Sequence, residues 1–267
     1  MSQDNLLQMT KFCNDFHNDE NVIFCKIDFI LQEFKSIESK KNKCVLIIAN
    51  GDITFDDNLF SYCPENVTHI FSTNTNCHSD KVTPIPIGVE IDMLPEREGH
   101  GIINEGIFHK KKYLLNPELI PNGQSVNKVI SNFRVETNPS FRSQIKKICE
   151  ESNHIDHYNE ISFEEFASHV KSYLGVVSPR GNGIECIRTY ETLYLGGTPI
   201  VVGSSQDYHL IYEKIYKNLP VVFIDDQNKL YDFNFISDEI KKVQKNSRES
   251  LEYGYWVEVI NKQIKKL

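Results

Sequence analysis

Short apolar runs of strand length, set between segments of helical period, leave this chain few folds to choose from. In the first half they fall at Val22–Lys26, Lys43–Ala49, Thr68–Ser72 and Thr83–Gly88, each followed by polar or turn-forming residues. Phe29–Phe34 reads as helical, and the IIANGD phrase, Ile47–Asp52, is a strand running into a loop. Near-continuous apolar strands alternating with helices predict an α/β layer with parallel strands, covered on both faces.

Between Met93 and Gln124 the pattern loosens into PEREGHGIINEGIFHKKKYLLNPELIPNG, a linker, a loop or an acceptor-binding insertion. Order then resumes with a strand at Val126–Phe133 and a helix opening at Asn138-Pro139-Ser140 and running through Cys149. Ser162 and Glu165 have capping-box spacing and open a helix to about Lys171. Strands at Tyr173–Val177, Pro199–Val202 and Pro220–Ile224 alternate with helices at Glu185–Leu195 and Gln206–Tyr216. The tail, Ser247–Lys265, has helical period and is expected to pack back across the first half. The resulting partition is 1–124, 125–245 and a C-terminal helical segment 246–267.

The chain has 267 residues, enough for one large domain or two of ordinary size, and its 40% hydrophobic and 25% charged residues place it among globular proteins. No run approaches the roughly 18 apolar residues that cross a bilayer. The N-terminus, MSQDNLLQMTKFCNDFHNDE, has acids and amides where a secretory signal would be basic and then apolar, so a soluble, cytoplasmic protein is expected. A formal net charge of −8 argues against general affinity for nucleic acid. The basic runs Lys40–Lys43 and His109–Lys112 therefore read as solvated surface. Cys13, Cys25, Cys44, Cys63, Cys77, Cys149 and Cys186 form no CxxC pair, so neither a zinc site nor a disulfide framework is expected.

The phrase SPRGNGIECIRTYETLYLGGTPIVV, Ser178–Val202, sets a charged glycine turn, a helix and a buried strand in succession. Gly181 and Gly183 allow the backbone to approach a ligand, and the following helix start offers N–H groups to anionic oxygen. Arg180 and Arg188 add planar, permanently charged donors suited to phosphate. At about 100° per residue, Arg188 and Glu191 lie within about 60° of each other, on a face shared with Ile184, Ile187 and Leu195. Charges on an apolar face mean either a buried structural Arg–Glu pair or a pyrophosphate and ribose pocket.

Two α/β units imply a cleft into which the loops at the carboxyl ends of their strands project. Those loops carry Asn50-Gly51-Asp52, Arg134, and Ser178 with Pro179 through Gly183, including Asn182. Asp52 is either a turn former or a general base, and His78 is either an ordinary loop histidine or the alternative base. Asn74 and Asn76 either position an acceptor or cap a turn. No Asp-x-Asp pair stands at a strand end; Asp56-Asp57 and Asp225-Asp226 read as surface or loop carboxylates, and no metal site is expected.

Together with FSTNTNCHSDKVTPIPIGVE (Phe71–Glu90) and VISNFRVETNPSFR (Val129–Arg142), the Ser178–Val202 phrase resembles the exostosin-like glycosyltransferases, in particular their small viral and microbial members. The resemblance covers roughly residues 44 to 225, with the three phrases in the family's order. It implies a GT-B-like architecture of two facing Rossmann-like domains, and transfer of a sugar from a nucleotide-sugar, a UDP-sugar such as UDP-xylose, UDP-glucose or UDP-galactose, to a hydroxyl of a glycan or glycoprotein acceptor. By the same resemblance Arg180 and Arg188 neutralise the donor diphosphate, Glu191 binds the ribose, the Gly181–Gly183 turn lies under the phosphates, and Arg134 contacts the diphosphate from the facing loop. No cofactor is implied; the nucleotide-sugar is substrate. Inverting transfer needs a base, for which Asp52 is the first candidate and His78 the second. The alternatives are a non-catalytic nucleotide-sugar or glycan-binding module of the same fold, and an unrelated sugar-phosphate enzyme using the same turn.

Overall fold

A computed structural model describes residues 5–16, 19–40, 42–90, 105–121 and 123–267. Lys41, and residues 93–104 and 122 of the irregular 93–124 segment, lie outside the described residues. The first half runs α1 (Met9–Phe16), β1 (Val22–Lys26), α2 (Ile30–Glu38), β2 (Cys44–Ala49), α3 (Asp57–Phe60), β3 (Val67–Ser72) and β4 (Val82–Pro84). After α4 (Glu105–Leu115), the second half runs β5 (Val126–Ser131), α5 (Pro139–Glu151), β6 (Ile155–His157), α6 (Phe163–Ser172), β7 (Tyr173–Pro179), α7 (Ile187–Tyr194), β8 (Pro199–Val202), α8 (Ser205–Lys214), β9 (Val222–Ile224) and α9 (Phe233–Val243), with α10 (Tyr253–Ile264) at the end.

The strands form two parallel sheets, ordered β1-β2-β3-β4 and β6-β5-β7-β8-β9. The expected α/β class with two Rossmann-like units is thus present. In the second sheet the chain steps from β5 out to the edge strand β6, then crosses back to β7. This reversal makes the carboxyl ends of β5 and β7 a topological switch point, where doubly wound sheets leave a crevice between diverging loops. Local chemistry fixes the helix starts around it. The Asn138 side chain accepts from the Phe141 N–H with Pro139 in the first turn, and Ser162 and Glu165 form the reciprocal capping box.

Alternation along the strands decides what each sheet covers. Val45 and Ile47 of β2 point into one cluster while Leu46 and Ile48 point into another, as the two-residue period of a strand requires. Ile130, Val176 and Val201 likewise face the first cluster, and Val129, Val177 and Ile200 face a third beneath α5 and α9. The first cluster belongs to both sheets. It joins Phe12, Val45, Ile47, Phe71 and Ile87 to Tyr190, Leu193, Tyr208 and Ile211 on α7 and α8, so the halves share one core. Each wholly buried aromatic in it, such as Phe12 or Phe71, contributes ~2–3 kcal/mol by area removed from water.

Packing redraws the expected boundaries. α4 lies against α6, and Lys171 donates to the carbonyls of Pro117 and Ile120, so residues 105–121 pack with the second unit although they precede position 125. α10 returns to the first sheet: Trp256 and Ile260 enter the shared core, and Tyr253 meets the Phe12 ring at 5.0 Å. The Tyr194 hydroxyl pins the extended N-terminal segment, accepting from the Leu7 N–H at 2.8 Å and donating to the Leu251 carbonyl. Gly88 adopts φ +66 where a Cβ would lie 2.2 Å from the Leu7 carbonyl oxygen, so only glycine fits this crossing.

Candidate functional site

The switch-point loops are held by a residue to which the sequence reading gave no role. Arg142 projects from the first turns of α5 and is buried. Its Nε donates to the Arg180 carbonyl at 2.8 Å, and Nη1 donates to the Arg134 carbonyl at 2.8 Å and to Thr137 Oγ1 at 3.0 Å. Nη2 donates to the Pro179 carbonyl at 3.0 Å and to Cys186 Sγ at 3.6 Å. One guanidinium therefore ties the loop after β5 to the loop after β7. Asn138 reinforces it by donating to the Gly181 carbonyl at 2.8 Å. A signal was present in the sequence, since Arg142 shares a helical stripe with the buried Ile145 and Cys149. The charged-on-apolar argument applied to Arg188 applies equally here.

Above this brace, Arg134 is exposed and makes no ion pair among the described residues. Arg180 is paired with Asp207 Oδ2 of α8 at 2.8 Å, and its buried Nε has no hydrogen-bond partner among the described residues. Arg188 stands apart from them. Its guanidinium lies 3.8 Å from the centroid of Phe166, donates to Asn132 Oδ1 at 3.2 Å and pairs with Glu191 at 3.0 Å. Lys110 of α4 takes the other Glu191 oxygen at 2.8 Å. Burial pushes the Glu191 carboxyl upward, but Arg188 and Lys110 outweigh it and hold the group below the usual carboxylate range.

This packing corrects the reading of Lys110 and gives three of the predicted site residues structural partners. Glu191, assigned to a ribose, is buried, and its two oxygens pair with the part-exposed Arg188 and Lys110. Lys110, read as solvated surface, is a member of this triad. The Ser178 hydroxyl is buried and shared with Thr189 Oγ1 at 2.8 Å, which ties β7 to α7. Gly183 is needed for a contact between halves: a Cβ there would lie 2.7 Å from Asn74 Nδ2.

Asn74 is the pivot of that contact. It sits in the left-handed region at φ 48, donates to the Gly51 carbonyl at 3.1 Å, and accepts from the Glu185 N–H at 2.9 Å. Its amide joins the two halves. Glu185, another residue without a predicted role, lies beneath. Its carboxylate accepts from the Ile87 N–H at 3.2 Å, the Tyr216 hydroxyl at 3.2 Å and the Tyr190 hydroxyl, and burial raises its pKa to about 7 despite those three donors. Asn76 is half-buried, and its N–H donates to the Phe55 carbonyl at 3.3 Å.

The two base candidates stand on the first unit and both touch the second. Asp52 is exposed and accepts from Asn182 Nδ2 at 3.3 Å. His78 is exposed, and its Nδ1 lies 2.7 Å from Asp57 Oδ2 while its N–H donates to Asp57 Oδ1 at 2.8 Å. That backbone bond first, and the ring bond second, hold the Asp57 carboxyl below its usual range. Asp57, read from sequence as a surface carboxylate, thus orients a histidine. The His78 ring stacks on His209 of α8 at 4.6 Å and 14°. The carboxyl edges of the two sheets therefore face each other, joined through Asp52–Asn182, Asn74–Gly183 and His78–His209. A groove of about 480 Å³ at the outer edge of β6, lined by Cys149, Asp156, His157 and Tyr158, contains none of the predicted site residues. Among the described residues no group of three or more His, Cys, Asp or Glu side chains is placed to hold a metal ion, and no helix is long and apolar enough to cross a membrane.

The fold and these facing edges define an α/β protein of two parallel sheets. No protein-family model matches the chain, and no curated protein matches it. Among solved structures it is similar to the spinosyn rhamnosyltransferase SpnG complexed with spinosyn aglycone, at 11% identity and a TM-score of 0.38, over 88% of this chain and 67% of that one.

Proposed function

We propose that this chain is an inverting glycosyltransferase that moves a sugar from a nucleotide-sugar, a UDP-sugar, to a glycan hydroxyl, in keeping with its resemblance to exostosin-like enzymes. The observation that carries the reading is the concentration of arginine at the switch point. Arg134 and Arg180 border it, and Arg142 lies buried beneath with no carboxylate in contact among the described residues. Buried charge calls for compensation, which a bound diphosphate supplies. As the bond between the sugar and the diphosphate breaks, negative charge grows on the departing oxygens, and fixed cations stabilise it more in the transition state than in the ground state.

The acceptor hydroxyl oxygen forms the new bond at the anomeric carbon, the diphosphate leaves with the bonding pair, and the hydroxyl proton passes to a base. Between the candidates the geometry favours His78 over Asp52. Asp57 fixes its Nδ1 side and leaves Nε2 as the accepting nitrogen, the arrangement a histidine base requires. Asp52 instead shares its carboxylate with Asn182. A second reading, a nucleotide-sugar-binding module without turnover, is favoured by the commitment of Glu191 to Lys110 and Arg188. A transfer and donor-hydrolysis assay across UDP-, GDP- and CMP-sugars tests the proposal. Turnover of a UDP-sugar supports it, UDP binding without turnover supports the second reading, and intact donors without nucleotide binding defeat both.

A further inference from the structure

We infer that Arg142 is the positioning residue of the anion site, setting the separation and register of the two loops that carry Arg134 and Arg180. This rests on the reading of that site as one for a nucleoside diphosphate. The five N–H donors of a guanidinium are all used here, and all by neutral acceptors: the Arg180 and Pro179 carbonyls and Cys186 Sγ on one loop, and the Arg134 carbonyl and Thr137 Oγ1 on the other. No carboxylate accepts from it among the described residues, so its charge is left for the loops it holds. Three of its partners are the backbone carbonyls of Arg134, Pro179 and Arg180. Through them it fixes the origin of both predicted diphosphate contacts, while its own charge sits directly beneath the turn. A Cβ on Gly181 would meet Nη2 at 3.4 Å, so the turn rests on the guanidinium itself.

Lysine cannot replace this residue. Its ammonium keeps the charge but has three donors on a point centre, and it cannot span two loops that a planar fork reaches together. The test measures UDP and uridine binding to the whole protein for wild type, Arg142→Lys, Arg180→Ala and the double variant, with circular dichroism to confirm folding. Arg142→Lys is expected to weaken UDP about 10- to 100-fold, the scale of misplacing fixed charge by about an ångström, with uridine changed less than about threefold. In the Arg180→Ala background the further loss should shrink, because the two residues act as one unit. Thr137→Val, which removes one acceptor of the brace at nearly constant volume, is the milder variant should Arg142→Lys fail to fold, and should weaken UDP about threefold by loss of one bond. UDP affinity unchanged in folded Arg142→Lys, or in Thr137→Val if only that variant folds, overturns the inference, as does an equal loss for uridine and UDP. Failure of the wild type to bind UDP instead overturns the functional reading beneath it.

Discussion

Replacing Glu185 by glutamine should remove a pH dependence that the contact between the two halves builds into stability. Burial raises the Glu185 carboxyl from an ordinary 4.5 to about 7, against the opposing donors Tyr190, Tyr216 and the Ile87 N–H. In the unfolded chain the group loses its proton near 4.5. Between those values the folded state therefore holds the extra proton, and stability falls as pH rises through the window, levelling above pH 7. A difference of about 2.5 pH units at about 1.4 kcal/mol each amounts to about 3–4 kcal/mol. The groups around the carboxyl, Tyr190, Tyr216 and Tyr208, are themselves pushed far above their ordinary values by burial and stay protonated throughout. Urea unfolding at pH 4.5 to 8, followed by fluorescence of Trp256, which is buried in the shared core, reads the effect. Subtracting the Glu185→Gln profile cancels titrations common to both proteins. Wild type should lose about 3 kcal/mol relative to the variant across this range; parallel profiles would refute the argument that the buried carboxyl takes up a proton on folding.

Other consequences are as direct. Glu191→Gln leaves Arg188 and Lys110 without their shared counter-charge and should destabilise the fold by ~3 kcal/mol in thermal or urea unfolding; an unchanged midpoint would mean that the triad is not structural. Gly183→Ala drives a methyl into Asn74, so the halves must separate locally, with a loss of ~1–3 kcal/mol and faster hydrogen exchange at the Glu185 N–H. Under the favoured base assignment, His78→Gln should abolish sugar transfer while UDP binding persists, and Asp57→Asn should lower turnover and shift the acid limb of the pH–rate profile. Should Asp52→Asn abolish transfer and His78→Gln spare it, Asp52 is the base.

Much of the fold could be read locally. CVLIIA is apolar at every position, and a strand buried on both faces needs nothing more to be recognised. β6 escaped because an edge strand of three residues, IDH, has one apolar side chain. α9, FNFISDEIKKV, escaped although Phe233, Ile236, Ile240 and Val243 recur at helical spacing. The site divided along the same line. Loop placement follows from strand order, so Arg134 and Arg180 could be located in advance. What Asn74, Gly183 and Glu185 do depends on a meeting of segments about 110 residues apart in the chain, and no local pattern encodes that. The partner of Ser178 was hidden for a related reason: Thr189, which shares its hydroxyl, lies on the helix that follows.

The central claim is that the arginine-lined switch point binds a nucleoside diphosphate, and calorimetric titration of the wild type and Arg134→Ala/Arg180→Ala with UDP addresses it most directly. The account predicts binding that the double substitution weakens about 100-fold or more, at about 1.5–3 kcal/mol for each charged hydrogen-bonding contact. An absence of heat with the wild type, or equal affinity in the double variant, would contradict it.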